Sequence, residues 1–375
     1  MLKILGILLL SIVILLAVLI LIIVSFIKFS PVFGGKASRE RIIGYQKSPN
    51  YSGGQFHNLM PMNTVYETED FIDESFKPKA TRQPDFDIPF QKVNPQDLEN
   101  SGTVPRFIWF GHSTFLLQME GQNILIDPMF SKVPSPVQGI GKKRYSKGLP
   151  LEINELPTID AVLLTHDHYD HLDYRSIKKI KDKVKRFYTP LGMSGHLVAW
   201  GVADEDVEEL DWFDTAQLGN IELRLTPSHH YSGRSLTDRF QTLWGGWILK
   251  SSAHNIYLSG DGGYGPHFKQ IGETYGPFDF AMIECGQYSR FWRQNHLFPE
   301  QTAQVALDVK AKLIMPIHWG AFTLAMHGWS DSIERLLKKA QQWNIAVTTP
   351  KIGELFALDG THYPTGYWWR RPKTT

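Results

Sequence analysis

Within six positions the chain places His166, Asp167, His168, Asp170 and His171, directly after the unbroken apolar run Ala161-Val162-Leu163-Leu164. Side chains alternate along an extended backbone, so His166 and His168 point the same way and can grip one ion. Asp170 and His171 then reach past it to a second. Neither core packing nor a solvated loop calls for three histidines and two aspartates so close together. Nitrogen and carboxylate donors suit zinc best, with iron and manganese as alternatives.

Other apolar runs also stop at imidazoles or carboxylates. Residues 221–225 lead into His229-His230-Tyr231, residues 255–258 into Ser259-Gly260-Asp261, and residues 313–317 into His318. A further run, 280–283, ends at Glu284 and stands apart from this His and Asp series. Strand ends that converge on one site, walled in by the loops that follow, would produce this pattern. The candidates for one ion are His166, His168 and His230, and for the other Asp170, His171 and His318, with Asp261 between them. Each ion then has an incomplete protein shell, as catalytic sites require, and one cysteine cannot build a thiolate cage. Two ions roughly 3.5–4 Å apart can share a hydroxide formed near neutral pH, a nucleophile that needs no separate strong base.

The elements that would position these groups follow from periodicity. Residues 107–110, 114–117 and 123–126 read as short strands with turns at Gly111 and Gly121, a meander ending at Asp127-Pro128. A Pro- and Gly-rich excursion spans 133–150, and the strand at 159–164 delivers the histidine run. Asp173 caps a helix that keeps Tyr174, Ile177 and Ile180 on one face and Lys178, Lys179 and Lys181 outside. Helices at 300–309, behind Pro299, and 332–342, behind Asp331, interleave with the strands and make this an α/β chain.

The 375 residues carry 39 Lys+Arg against 38 Asp+Glu, a net charge of +1, so no nucleic-acid partner is expected. The single cysteine, Cys285, rules out an intramolecular disulfide and reads as a buried strand residue. Residues 4–27 are uncharged and almost wholly apolar, long enough to span a bilayer. A cleaved signal peptide is the competing reading, but its apolar region would be shorter and no small-x-small cleavage site follows Phe26. The chain divides into a transmembrane anchor (1–30), an irregular, partly packed arm (31–102) carrying Tyr51, Phe56, Tyr66 and Phe71, and a catalytic domain (103–375). Lys3 precedes the apolar span while Lys28, Lys36, Arg39 and Arg41 follow it, which places the main domain of a single-pass membrane protein on the cytoplasmic side.

The run His166-x-His168-x-Asp170-His171 resembles the defining motif of the metallo-β-lactamase superfamily. Within it the chain is most similar to the branch of N-acylphosphatidylethanolamine-hydrolysing phospholipase D. The stretches that carry this likeness are Trp109-Phe110-Gly111-His112-Ser113-Thr114, Asp127-Pro128, 164–173, Pro227-Ser228-His229-His230-Tyr231, Ser259-Gly260-Asp261-Gly262-Gly263-Tyr264, His296-Leu297-Phe298-Pro299-Glu300 and Ile317-His318-Trp319-Gly320. The resemblance implies an αβ/βα sandwich with a binuclear zinc centre at one edge and cleavage of a phosphodiester in an N-acylated phospholipid. Where the branch has Gln-His-Trp this chain has His229-His230-Tyr231, so either imidazole can be the ligand, and the register after Pro227 favours His230. An uncleaved membrane span is not a defining feature of the branch.

On this reading Asp170 orients the nucleophile as well as binding metal, and His296 contacts phosphate or protonates the leaving group. His112, early in the meander, braces a turn or a ligand. Arg290-Phe291-Trp292-Arg293 form a basic-aromatic patch next to His296, in which Arg290 and Trp292 would cradle a phosphate head and acyl chain; packing at a strand edge is the plainer reading. Tyr367-Trp368-Trp369-Arg370-Arg371 suits either an interfacial belt or a docked tail. A lactonase, esterase or amidase acting on a small molecule fits the same centre, and a non-catalytic scaffold is the remaining alternative.

Overall fold

The computed structural model describes residues 2–62, 82–99 and 102–371. Tyr66 and Phe71 of the arm lie outside the described residues. The chain opens with α1 (Leu2–Phe29), whose apolar side chains are exposed and which is long and apolar enough to cross a membrane. A short helix, α2 (Arg39–Tyr45), and a hairpin of β1 (Tyr51–Ser52) and β2 (Gln55–Phe56) follow. Tyr45 and Phe56 are buried in the main core.

Two sheets form the body. One contains β3 (Arg106–Trp109), β4 (Phe115–Met119), β5 (Gln122–Ile126), β6 (Ala161–Leu163), β7 (Phe187–Pro190) and β8 (Val207–Leu210), with the late strand β15 (Leu355–Ala357) on its edge beside β3. The expected meander is β3-β4-β5, antiparallel throughout, after which β5 to β8 run parallel. The other sheet is ordered β14 (Ile314–Ile317), β13 (Phe280–Glu284), β12 (Asn255–Leu258), β11 (Gly246–Lys250), β10 (Ile221–Thr226) and β9 (Thr215–Leu218).

Strand alternation explains the layering. Phe107, Trp109, Phe115, Leu117, Ile124, Ile126 and Leu163 face inward against Leu223, Leu225, Trp247, Leu249, Leu258 and Met282 of the other sheet. Their neighbours Ile108, Leu116, Leu125 and Val162 face outward and are covered by α3 (Tyr174–Ile180) and α4 (Ser194–Ala199) through Ile177, Ile180 and Leu197. On the far side Ile248, Tyr257, Ala281 and Ile283 lie under α5 (His267–Thr274), α6 (Pro299–Asp308) and α7 (Asp331–Trp343). A strand covered on both faces must be apolar at every position, which is why 161–164 shows no alternation.

Strands β8 and β9 lie at sheet edges, where Glu208, Glu209, Thr215 and Gln217 are accepted, so their sequence carries no continuous apolar run. Cys285 is buried as expected. The C-terminal aromatics are a docked tail: Trp368 stacks on Trp319 at 5.2 Å, Trp369 is buried, and its indole donates to Glu334 at 2.9 Å.

Candidate metal centre

Strands β5, β6, β10, β12 and β14 end at one edge, and the loops that leave them carry the site. Asp127 follows β5, the histidine run follows its parallel neighbour β6, His230 follows β10, Asp261 follows β12, and His318 follows β14. Backbone bonds stitch the two edges together: His112 N–H donates to the Trp319 carbonyl at 3.1 Å, and His318 N–H to the His112 carbonyl at 3.0 Å. His112, Asp127 and His318 all adopt positive φ, at 57°, 40° and 64°. Left-handed backbone at non-glycine residues is tolerated where the surroundings hold it, and here it aims side chains into one cleft. Gly246 lies between these strands because a Cβ there would fall 2.3 Å from the Leu258 carbonyl oxygen.

Two sets of donors converge. In the first, His168 Nδ1 lies 2.9 Å from His166 Nε2 and 3.2 Å from His230 Nε2. In the second, Asp170 Oδ2 lies 2.8 Å from His112 Nε2, 3.2 Å from His318 Nε2 and 3.5 Å from His171 Nε2. Asp261 Oδ2 reaches both, at 2.9 Å from His318 Nε2, 3.1 Å from His171 Nε2 and 3.9 Å from His166 Nε2. Every expected donor is therefore in one cluster, and His230, not His229, is the imidazole turned into it.

The ring orientations suit metal binding. Asp127 accepts from His171 Nδ1 at 2.7 Å and from the Thr165 hydroxyl at 2.7 Å, while the Asn295 carbonyl accepts from His230 Nδ1 at 3.0 Å. Each ring then offers the Nε2 lone pair inward. His171 Nε2 and Asp261 Oδ1 are buried without a hydrogen-bond partner, which a cation would relieve. Burial holds His166, His168 and His230 below the usual imidazole value, so they are neutral donors. Burial opposes ionisation of Asp170 and Asp261, but the facing imidazoles outweigh it and hold both well below the usual carboxylate range. His318 moves the other way: burial lowers it, and Asp261 and Asp170 push it up to about 10. The donor set fits a pair of cations.

His112 braces Asp170 and belongs to the second group by distance. Glu284, which stands apart from the His and Asp series in the sequence, also reaches the site. Its carboxylate is wholly buried, accepts from Gly262 N–H at 2.7 Å and is hydrogen-bonded to His296 Nδ1. The signal was there: like Asp261, it closes an apolar strand of the same sheet. The His296 ring stacks on His318 at 5.1 Å and lies 5.2 Å from His230, between the two donor sets. Arg290 and Trp292 lie in a one-turn helix on the loop that carries His296, outside the cluster; the Trp292 indole donates to the Gln287 carbonyl at 2.8 Å.

A family model described as a β-lactamase superfamily domain matches residues 122–319. The chain belongs to the metallo-β-lactamase superfamily. It is a metal-dependent hydrolase of that family. An uncharacterized protein of Mycobacterium tuberculosis is 35% identical over 350 residues, covering 90% of this chain and 91% of the relative. N-acyl-phosphatidylethanolamine-hydrolyzing phospholipase D 1 of Caenorhabditis elegans is 32% identical over 229 residues, covering 58% of this chain and 64% of the relative. Igni18, a metallo hydrolase of Ignicoccus hospitalis, shares the metallo-β-lactamase fold with a TM-score of 0.53 at 21% identity, over 68% of this chain and 98% of its own.

Proposed function

We propose that this metallo-β-lactamase superfamily member is a membrane-anchored binuclear zinc phosphodiesterase of phospholipase D type, acting on N-acylphosphatidylethanolamine-like lipids. The observation that carries the reading is the His296–Glu284 pair set against the metal cluster. A site that cleaves a phosphodiester needs a group to meet the phosphate or protonate the departing alcohol, and His296, held by Glu284 beside the cluster, is the candidate for that role. The likeness to the C. elegans phospholipase supports the substrate class, and the apolar span 4–27 followed by Lys28, Lys36, Arg39 and Arg41 supports an anchor with the domain on the cytoplasmic side.

His166, His168 and His230 would hold one zinc ion, and Asp170, His171 and His318 the other, with Asp261 shared. Iron or manganese fits the same donors. Bound there, the pair would supply a hydroxide near neutral pH and neutralise charge gathering on the phosphoryl oxygens. Asp170, fixed by His112, orients the attacking oxygen. In the doubly protonated ring, Glu284 would accept from His296 Nδ1–H while Nε2–H donates to the phosphate or passes to the leaving alkoxide. Arg290 and Trp292, on the same loop, would receive the head group or acyl chain.

Purified chain loaded with zinc, incubated with N-acylphosphatidylethanolamine, should release phosphatidic acid and an N-acylethanolamine in equal amounts. Metal-dependent turnover of a lactone or ester with no phospholipid cleaved would overturn the phosphodiesterase reading and leave a hydrolase of another bond.

A further inference from the structure

A second cavity, of about 1,100 Å³, opens away from the histidine cluster. It is slightly larger than the roughly 300–1,000 Å³ typical of ligand sites. Three separate segments wall it: residues 130–132, the loop 143–153 and the outer face of α3. All three contribute cations, in a chain whose net charge is only +1.

Their partners decide what the cavity can do. Arg144 is committed to structure, donating to the Phe110 carbonyl at 3.0 Å and to the Met129 carbonyl, and Lys147 pairs with Asp87 at 2.6 Å. Glu152, the sole acid in the wall among the described residues, pairs with Lys92 at 3.3 Å. Among the described residues Lys132, Lys143, Arg175, Lys178 and Lys179 have no anionic partner. Lysines on the outside of one helix would by themselves be a solvated face. Here Lys132 and Lys143 arrive from two other segments onto the same concavity, and a concave wall of one sign focuses its potential on whatever enters. Phe130, Leu149, Ile153 and Tyr174 complete the lining with apolar surface. The complementary ligand is an anion with an apolar continuation.

The cavity also stands close to where α1 meets the domain. Two residues after α1 ends at Phe29, the Pro31 carbonyl accepts from Trp200 Nε1 at 2.6 Å. The Trp200 ring packs on Tyr174 at 5.3 Å, and Tyr174 opens α3 and lines the cavity. If α1 is the anchor, two side-chain contacts separate the segment that leaves the bilayer from this wall, and basic residues beside a span are suited to meet lipid phosphates.

We propose that the cavity binds the phosphate head group of an anionic bilayer phospholipid, with the apolar lining against its glycerol and first acyl carbons. This non-catalytic site holds the hydrolase domain against the membrane that α1 crosses, and so rests on the anchorage reading.

The test uses the full chain in neutral-detergent micelles, titrated with phosphatidylglycerol or phosphatidylcholine and read by native mass spectrometry. Wild type should retain one phosphatidylglycerol with a preference of about tenfold or more. The variant Arg175→Glu/Lys178→Glu/Lys179→Glu should lose that preference. A control with the same charge change on exposed lysines elsewhere, Lys250→Glu/Lys310→Glu/Lys351→Glu, should keep it. Metal content should not change in either. Should the α3 variant melt below wild type, Lys132→Glu/Lys143→Glu on the facing walls carries the same expectation. Equal loss in the control would overturn the proposal in favour of bulk charge. Displacement of the lipid by glycerol phosphate or inorganic phosphate at equal concentration would overturn it in favour of a soluble anion. Extraction of membranes with alkaline carbonate separately tests the anchor: release of the chain would sink anchorage while leaving the micelle result to stand or fall on its own.

Discussion

The Arg234 guanidinium donates to the Val32 carbonyl at 2.9 Å, joining the segment just after α1 to the loop that carries the candidate metal-ligating histidines. Its Nη1 donates to the carbonyls of Asp167 and Leu172, at 2.5 and 2.8 Å, which bracket His168, Asp170 and His171. The side chain is buried, and its plane lies over the Tyr169 ring at 4.2 Å. One planar cation thus fixes the pose of the loop and couples it to the stalk.

Replacing Arg234 by Met leaves three carbonyls without their donor. Each buried carbonyl left unpaired costs about 1–3 kcal/mol, so the denaturant midpoint should fall clearly. Arg234→Lys should recover only part of the loss, because an ammonium cannot reproduce the fork. A variant as stable as wild type would show that the loop holds itself.

Removal of the candidate metal ligands should separate the two sets. His168→Ala is expected to lower bound metal by one ion per chain and abolish turnover. Asp261→Ala, which faces both sets, should weaken both ions. Metal analysis by mass spectrometry reads each, and zinc returned after chelation should restore activity to wild type.

The His296–Glu284 pair should act as a unit. Glu284→Gln and His296→Ala are each expected to lower kcat on a substrate with an alkyl leaving group by about 10²-fold, with KM little changed. The double variant should fall no further, because the same function is lost each time. A nitrophenyl phosphodiester, whose leaving group needs no proton, should be hydrolysed by all three at near wild-type rates. Equal losses on both substrates would remove proton delivery from the account.

Docking of the C-terminal tail should weaken in acid. The Arg370 guanidinium, bidentate on Glu334 at 2.7 Å, holds this carboxyl below its usual value, helped by the Trp369 indole. A carboxyl depressed in the folded state stabilises above its unfolded value of 4.5, and that contribution disappears as pH falls through the folded value. The pair is partly exposed, so the effect is under about 1 kcal/mol. Fluorescence of Trp368 and Trp369 should report partial undocking below pH 4.5 in wild type, and Glu334→Gln should remove the pH dependence.

The histidine run, its apolar lead-in and the endings at His230, Asp261 and His318 could be read directly because each is local: a few residues whose types and spacing already state a chemistry. The helices α3, α6 and α7 were recoverable to within a residue or two for the same reason, since caps and apolar periodicity are short-range signals, whereas the short α2, α4 and α5 were not. The edge strands β8 and β9 were not, because an edge tolerates polar residues and so carries no run to detect. Nor was the Glu284–His296 pair, the brace of Asp127 on His171, or the reach of Arg234 to Val32. These depend on which strand lies beside which and in what register, and that is settled by burying both sheet faces at once. A residue's neighbours along the chain announce what it can do; the packing of elements far apart in sequence chooses the partner it does it with.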